Sequence, residues 1–302
     1  MQDKGKLISQ MILTAKTVGL SNITPVVLSD GGNLIVHLVP YPIVARIAVF
    51  VSEQEVDQAN KLLIRELCVA RHLHSKGVPV LLPTDLIDAG PHRVGGTWMT
   101  FWRYVAPTQL QSPTPREAVQ LVNMLSVAIK DFSDVLPILG VWNRACKSAT
   151  RLRGKSDYRI QSLLKVFRRI DEQIQTIETG LLIPAHGDAH VRNLLPSPEG
   201  WLWMDFEDVS LMPAYWDIAS FVANPVLFKG FQEPTFRYIL DYTNVVTDQR
   251  AFGLALTART LMSILGNLDL ALEGHGDLAF ATRQLELAED FLLKIDLIFN
   301  KS

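Results

Sequence analysis

The sequence predicts an α+β chain: a small antiparallel sheet with one inserted helix, then a larger and mostly helical part. Three observations carry this. Residues 23–51 contain three short apolar runs rich in β-branched side chains, separated by Gly, Asn and Pro. From residue 112 onward, apolar side chains recur mostly at helical spacing. The 302 residues, 48% apolar and 20% charged, suffice for one large domain or two lobes.

In order, residues 6–18 read as a short helix, and residues 23–28, 34–39 and 43–51 as strands. Ser29, Asp30, Gly31, Gly32 and Asn33 separate the first two strands, and Pro40, Tyr41 and Pro42 the next two. Gly and Asn accept the positive φ of tight hairpins, so the three runs form a meander. Ser52 and Glu55 have the spacing of a capping box. The helix it opens carries Val56, Ala59, Leu63, Leu67, Ala70 and Leu73 on one stripe. Two more strands are expected at residues 86–89 and 97–105. Thr114, Pro115 and Glu117 supply an N-cap, an N1 proline and a capping-box partner. Further helices fit residues 157–178, 251–272 and 278–299. The division is drawn between regions 1–104 and 105–302.

Lys and Arg total 29 against 31 Asp and Glu, a formal net charge of −2. No clustered basic footprint for nucleic acid is present. Cys68 and Cys146 lie in apolar helical patterns without metal-ligand spacing, as buried thiols of a reducing compartment do. No stretch approaches the ~18 uninterrupted apolar residues of a membrane span. Lys4, Lys6, Gln10 and Lys16 interrupt the N-terminal region, against a signal peptide. The expectation is a cytoplasmic protein that binds neither nucleic acid nor membrane.

The informative segment is His186-Gly187-Asp188-Ala189-His190-Val191-Arg192-Asn193, then Trp203-Met204-Asp205-Phe206-Glu207-Asp208. Asn193 begins an apolar run, residues 196–200 form a turn, and residues 201–204 return the chain. Such a hairpin brings Asn193 and Asp205 to one open end, with Asp188 on the loop that leads into it. Carboxylate and amide oxygens suit a hard cation such as Mg²⁺. The first run resembles the H-G-D-x-H-x-x-N loop of aminoglycoside phosphotransferases, and Asp205-Phe206-Glu207-Asp208 resembles their metal-binding D-F-x-D. Protein kinases use a related arrangement.

This resemblance to the aminoglycoside phosphotransferase and choline kinase group implies a bilobal protein-kinase-like fold. Region 1–104 would bind nucleotide, and region 105–302 would hold the catalytic and substrate-binding groups. The implied reaction moves the γ-phosphate of ATP (or GTP), with Mg, to a hydroxyl of a small molecule such as an aminoglycoside-like compound, an amino alcohol or a sugar. Asp188 would be the base, Asn193 and Asp205 the metal ligands, and His186 a support of the loop. In Val44-Ala45-Arg46-Ile47-Ala48, Arg46 resembles the strand residue that binds ATP phosphates, with Glu66 as its helical partner. The i±3 and i±4 neighbours of Glu66 are Leu62, Leu63, Val69 and Ala70, and a carboxylate on that apolar side is costly unless paired. The plainer alternatives are a Glu66 pair with Lys61 or Arg65, and Arg46 as an outward strand residue.

Gly31 and Gly32 fall where a phosphate-covering turn belongs. The run 100–105, containing Phe101 and Arg103, resembles the hinge whose backbone holds adenine. Asp217, in Tyr215-Trp216-Asp217-Ile218-Ala219, either braces the catalytic loop or caps a helix. Gly187 stands where protein kinases carry the Arg that reads a phosphorylated loop. Only eleven residues separate Asp205 from Asp217, too few for such a loop.

Two other classes compete: a metal-dependent hydrolase using His186, Asp188 and His190, and a non-catalytic nucleotide-binding module. Loss of the base or metal ligands would mark the latter, and both are present. For a polycationic acceptor, Asp208, Asp241, Asp269, Glu273 and Asp277 offer charge, or they are solvated helix faces. For a quaternary ammonium, Phe228, Phe231, Phe236, Tyr238 and Tyr242 offer ring faces.

Overall fold

A computed structural model describes residues 4–31, 33–48 and 53–299. Gly32 and the cap expected at Ser52 lie outside the described residues. In chain order the first elements are α1 (Lys4–Thr17), β1 (Thr24–Asp30), β2 (Asn33–Val39), β3 (Ile43–Ala48), α2 (Glu53–Ser75), β4 (His92–Val94) and β5 (Thr97–Arg103). Then come α3 (Pro115–Ile129), α4 (Gly140–Leu152), α5 (Tyr158–Gln175), β6 (Ile183–Ala185), β7 (Leu194–Ser197), β8 (Gly200–Trp203) and β9 (Ser210–Met212). The chain closes with α6 (Trp216–Lys229), α7 (Pro234–Tyr242), α8 (Gln249–Leu272) and α9 (Leu278–Phe299).

Two compact units result. One comprises Met1–Gln111 with Leu194–Glu207, the other Ser112–Asn193 with Asp208–Ser302. The first unit thus takes in a segment, Leu194–Glu207, from beyond residue 111 of the chain. The cause is backbone hydrogen bonding: Trp203 N–H donates to Pro79 O at 2.9 Å and Leu81 N–H to Trp203 O at 2.8 Å. Those two bonds tie the β7–β8 hairpin into the first unit.

The first unit is an antiparallel sheet of order β1-β2-β3-β5-β4. Strand alternation divides its faces. Leu34, Val36 and Leu38 of β2, Ala45 and Ile47 of β3, and Met99 and Phe101 of β5 pack in one core cluster with Leu7, Met11 and Ala15 of α1. Arg46 sits between Ala45 and Ile47, so it points to the other face. Its cross-strand partners there are Ile35 and Thr100. The strand expected at residues 86–89 does not form. Leu86 N–H is taken by Thr84 Oγ1 and Gly90 N–H by Asp88 Oδ1, local bonds that compete with a ladder. The fourth strand is β4 instead.

The second unit is built on helices. Thr114 and Glu117 form the expected capping box of α3, and Asp157 caps α5. α8 is long and apolar enough to cross a membrane by length and composition, but 67% of its most apolar window is buried. It is the central helix of the unit, in contact with α4, α5, α6 and α9.

The packing of α8 generates a paired prediction. A Cβ added at Gly253 would stand 2.5 Å from Phe299 Cβ of α9, while one at Gly266 meets nothing within 4 Å. Gly→Ala in a helix gains about 1 kcal/mol from propensity, and overpacking costs roughly 1–3 kcal/mol. Gly266→Ala should therefore raise the thermal midpoint, and Gly253→Ala should lower it. Differential scanning calorimetry of the two variants checks both signs.

Candidate active site

Each unit contributes one cluster of ionisable groups. In the first unit, α2 places Glu66 on its buried stripe beside Leu63, Val69 and Ala70, where it is 1% exposed. Arg46 Nη1 donates to Glu66 Oε2. Arg46 Nη2 reaches Glu207 Oε2 at 2.6 Å and Asp205 Oδ1 at 3.3 Å. Arg65 donates to the Glu207 carbonyl at 3.0 Å. One guanidinium thus faces three carboxylates. Burial opposes its charge, but Glu66, Glu207 and Asp205 outweigh that and raise the Arg46 pKa. Burial pushes the Glu66 carboxyl up to about 7 against the pull of Arg46, with the like charges of Asp205 and Glu207 adding to the rise.

Asp205 adopts left-handed backbone, φ 66°, a conformation costing a non-glycine residue about 1–2 kcal/mol. Its carboxylate is 40% exposed and its contact with Arg46 is long. Gly31, at the β1–β2 turn, is exposed. Phe101 is not brought to this face: it is fully buried in the α1 core. Its N–H donates to Ala89 O, and its carbonyl accepts from Thr84 N. Arg103 N–H donates to Leu82 O and its guanidinium to Asp85. The face that carries Arg46 has Val44 and Trp102 side by side, and His37 stacked on Tyr104 with ring centroids 3.7 Å apart.

The second unit holds the loop from His186 to Asn193 chiefly through the backbone of His186 and Gly187 and the side chains of Asp188 and Asn193. Asp217, in the first turn of α6 and 3% exposed, accepts from His186 N–H at 2.9 Å and Gly187 N–H at 3.1 Å. The N-cap of α6 is Tyr215, so Asp217 is the brace and not the cap. Burial raises the Asp217 pKa, opposed by His186 and the two N–H donors. Trp216 Nε1 donates to Gly187 O at 2.8 Å. Gly187 has φ 87°, and a Cβ there would lie 2.4 Å from the Asp208 carbonyl oxygen, so only glycine fits. Asn193 Nδ2 donates to Asp188 O at 2.8 Å, which leaves its Oδ1 as an acceptor.

The Asp188 carboxylate has a partner the sequence did not reveal. Arg259 of α8, 5% exposed, donates from Nη2 to Asp188 Oδ1 and from Nε to Ser220 Oγ at 3.0 Å. His190 Nε2 lies 3.3 Å from Asp188 Oδ2. Burial alone would raise the Asp188 carboxyl. The His190 hydrogen bond and the Arg259 charge, with His190 and His186 adding, hold it well below the ordinary carboxylate range. The only sequence signal for Arg259 was a basic residue inside an apolar helix, whose partner lies 71 residues away.

Among the described residues, no group of three or more His, Cys, Asp or Glu side chains has metal-binding geometry. Asp205 in the first unit and Asn193 in the second each carry a hard oxygen donor of the kind Mg²⁺ takes in small number alongside substrate phosphates.

The sequence profile described as a phosphotransferase enzyme family matches residues 51–252. A search of curated proteins finds no match. Among solved structures, the chain is similar to a choline kinase from Streptococcus pneumoniae, at 15% identity, TM-score 0.63, 95% of this chain and 99% of that one. It is similar to an amicoumacin kinase in complex with AMP-PNP, Ca²⁺ and its antibiotic, at 13% identity, TM-score 0.65, covering 97% and 94%. It is also similar to an aminoglycoside phosphotransferase from Alicyclobacillus acidocaldarius, at 14% identity, TM-score 0.55, 96% of each. These likenesses establish a kinase-like fold.

The Asp188–Arg259 pair has a pH signature. The carboxyl titrates lower in the folded chain than its ordinary value of 3.8. Its contribution to stability is therefore complete above about pH 4 and fades as the pH falls further. Asp188→Asn should cost about 1–3 kcal/mol at pH 7, a charged hydrogen bond being lost. That difference should shrink as denaturation is repeated from pH 4 toward pH 2; a gap that stays constant contradicts the pairing.

Proposed function

The chain belongs to the phosphotransferase enzyme family, and we propose that it transfers the γ-phosphoryl group of ATP to a hydroxyl of a small molecule. The observation that carries this reading is Asp188: an exposed edge of an ionised carboxylate on a loop whose neighbouring backbone is immobilised by Asp217 and Trp216. The paired Arg46 and Glu66 on β3 and α2 support it. GTP would serve the same chemistry.

The acceptor hydroxyl donates to Asp188. Its oxygen forms a bond to the γ-phosphorus while the bond from that phosphorus to the β–γ bridging oxygen breaks, ADP leaves, and the proton passes to Asp188 and then to solvent. Such transfers run through a loose transition state, so positioning and charge do most of the work. A carboxyl held this far down its titration range is a weak base. Asp188 therefore acts mainly by aiming the hydroxyl and takes the proton late. Arg46, fixed between three carboxylates, supplies charge to the phosphates. Val44 and Trp102 offer an apolar wall to the adenine on the same sheet face. Asp205 and Asn193 would hold Mg²⁺, which when bound neutralises phosphate charge.

Two variants test this. Asp205→Ala should abolish metal-dependent ADP formation while circular dichroism stays unchanged; activity near wild type would move the metal ligand elsewhere. Asp188→Asn should keep nucleotide affinity, measured by titration calorimetry, and lose roughly 10²-fold or more in turnover, the usual reach of general-base help. A folded, nucleotide-binding Asn variant within a few-fold of wild type would defeat the assignment.

A further inference from the structure

We propose that a cavity on the side of α8 opposite Arg259 binds an amphipathic anion, a carboxylate or phosphate carried on an apolar chain. The site lies within the second unit and does not depend on the role of Asp188.

The cavity has a volume of about 510 Å³ between α5, the start of α8 and α9. Small-molecule sites usually span about 300–1,000 Å³. Arg250, Leu254 and Thr257 supply the α8 wall. At about 100° per residue, these three face the half of the helix surface away from Arg259. The body of α8 therefore stands between the cavity and the side on which Arg259 meets Asp188.

Its interior is apolar. Val166 and Ile170 of α5, Leu254 of α8 and Leu292 of α9 line it, and Ile170 and Leu292 are buried. Thr257 is buried too, and its hydroxyl donates to Gly253 O at 2.8 Å, so it gives the interior no O–H. Water in such a space finds few of the polar partners that hold it. An alkyl chain in its place removes apolar surface from water on both sides of the contact.

The exposed lining is cationic on balance. Arg169 and Arg250 stand there with one carboxylate, Asp296. Arg169 approaches Asp296 at 3.9 Å, too long for a hydrogen bond. The Arg250 guanidinium makes no hydrogen bond or ion pair with any described residue. Its position is unfavourable on its own terms: it stands in the first turn of α8, where the amide dipoles disfavour a cation, and that turn has no acidic residue. Asp248, the N-cap, turns its carboxylate to Ala251 N–H at 3.0 Å. An anion here would meet the helix N-terminus, Arg250 and Arg169 together, and a guanidinium takes carboxylate or phosphate through paired hydrogen bonds. One anionic head and one apolar tail match this lining. Acyl carboxylates and alkyl phosphates share that chemistry.

The test is titration calorimetry of the full chain with octanoate and with octyl phosphate. Acetate, inorganic phosphate and 1-octanol are the controls that carry only the head or only the tail. At least one amphiphile should bind one-to-one with a Kd of about 1 mM or tighter, and at least about tenfold more tightly than either of its halves. Arg250→Ala and Arg169→Ala change exposed side chains on different helices. Each should weaken binding by about tenfold or more, the usual loss with a charge-assisted hydrogen bond. Asp188→Asn should bind the amphiphile as wild type does. No heat of binding from either amphiphile up to about 10 mM overturns the proposal. Equal affinity for a head group or for octanol alone overturns it as well, as does unchanged affinity in either folded arginine variant. Loss of binding in Asp188→Asn would put the ligand at the acceptor site and refute a separate cavity. Should one arginine variant fail to fold, the other decides.

Discussion

A carboxylate taken out of water must find a cation or hydrogen-bond donors, and that constraint organises both clusters of this protein. Asp217 is buried at the start of α6, so it turns to the nearest orphaned donors, the N–H groups of His186 and Gly187. That fixes the loop backbone. Glu66 is buried on the inner stripe of α2, so it takes Arg46 from β3. That fixes the guanidinium on the sheet face away from α1. Breaking such a pair by removing one partner typically costs about 3–5 kcal/mol, because the other charge is left stranded.

Pairing also sets the chemistry each group can perform. Asp188 lies against Arg259 and His190 and is held ionised far into acid. It gives up proton affinity and gains direction, a useful exchange where the reaction depends on aim more than on basicity. Around Arg46 the balance runs the other way. Three carboxylates share one cation, and the least buried of them, Asp205, has the longest contact and a left-handed backbone. Excess negative charge at a half-exposed carboxylate is what attracts a hard cation.

Much of this was legible along the chain. The β2–β3 meander, the Thr114 capping box and the α9 helix follow from turn residues and periodicity, which are local. A lone carboxylate on an apolar stripe demands a partner, and the family resemblance pointed to Arg46 as the partner of Glu66. The run from His186 to Asn193 stood out by its resemblance to the family's loop motif. Other features were not local and could not be read. Residues 86–89 looked like a strand because β propensity ignores side chains such as Thr84 and Asp88, which capture backbone donors. The facing of the ring of Phe101 is not local either: one step of strand alternation sends it into the α1 core and sends Trp102 to the face of Arg46.

The sequence by itself determined which residue types stand in the motif, where helices and strands begin, and which charges needed partners, because those depend on neighbours within a turn or two of chain. Only the tertiary structure decided who the partners are. Arg259 reaches Asp188 across 71 residues, and the β7–β8 hairpin joins the first unit through Pro79 and Leu81. Asp208 and Asp269 take Arg144 and Arg151 for the same reason, whereas Asp241 meets Arg237 one turn away on its own helix. A buried charge is satisfied by whichever opposite group the packed core brings within hydrogen-bond reach, and that distance is a property of the fold.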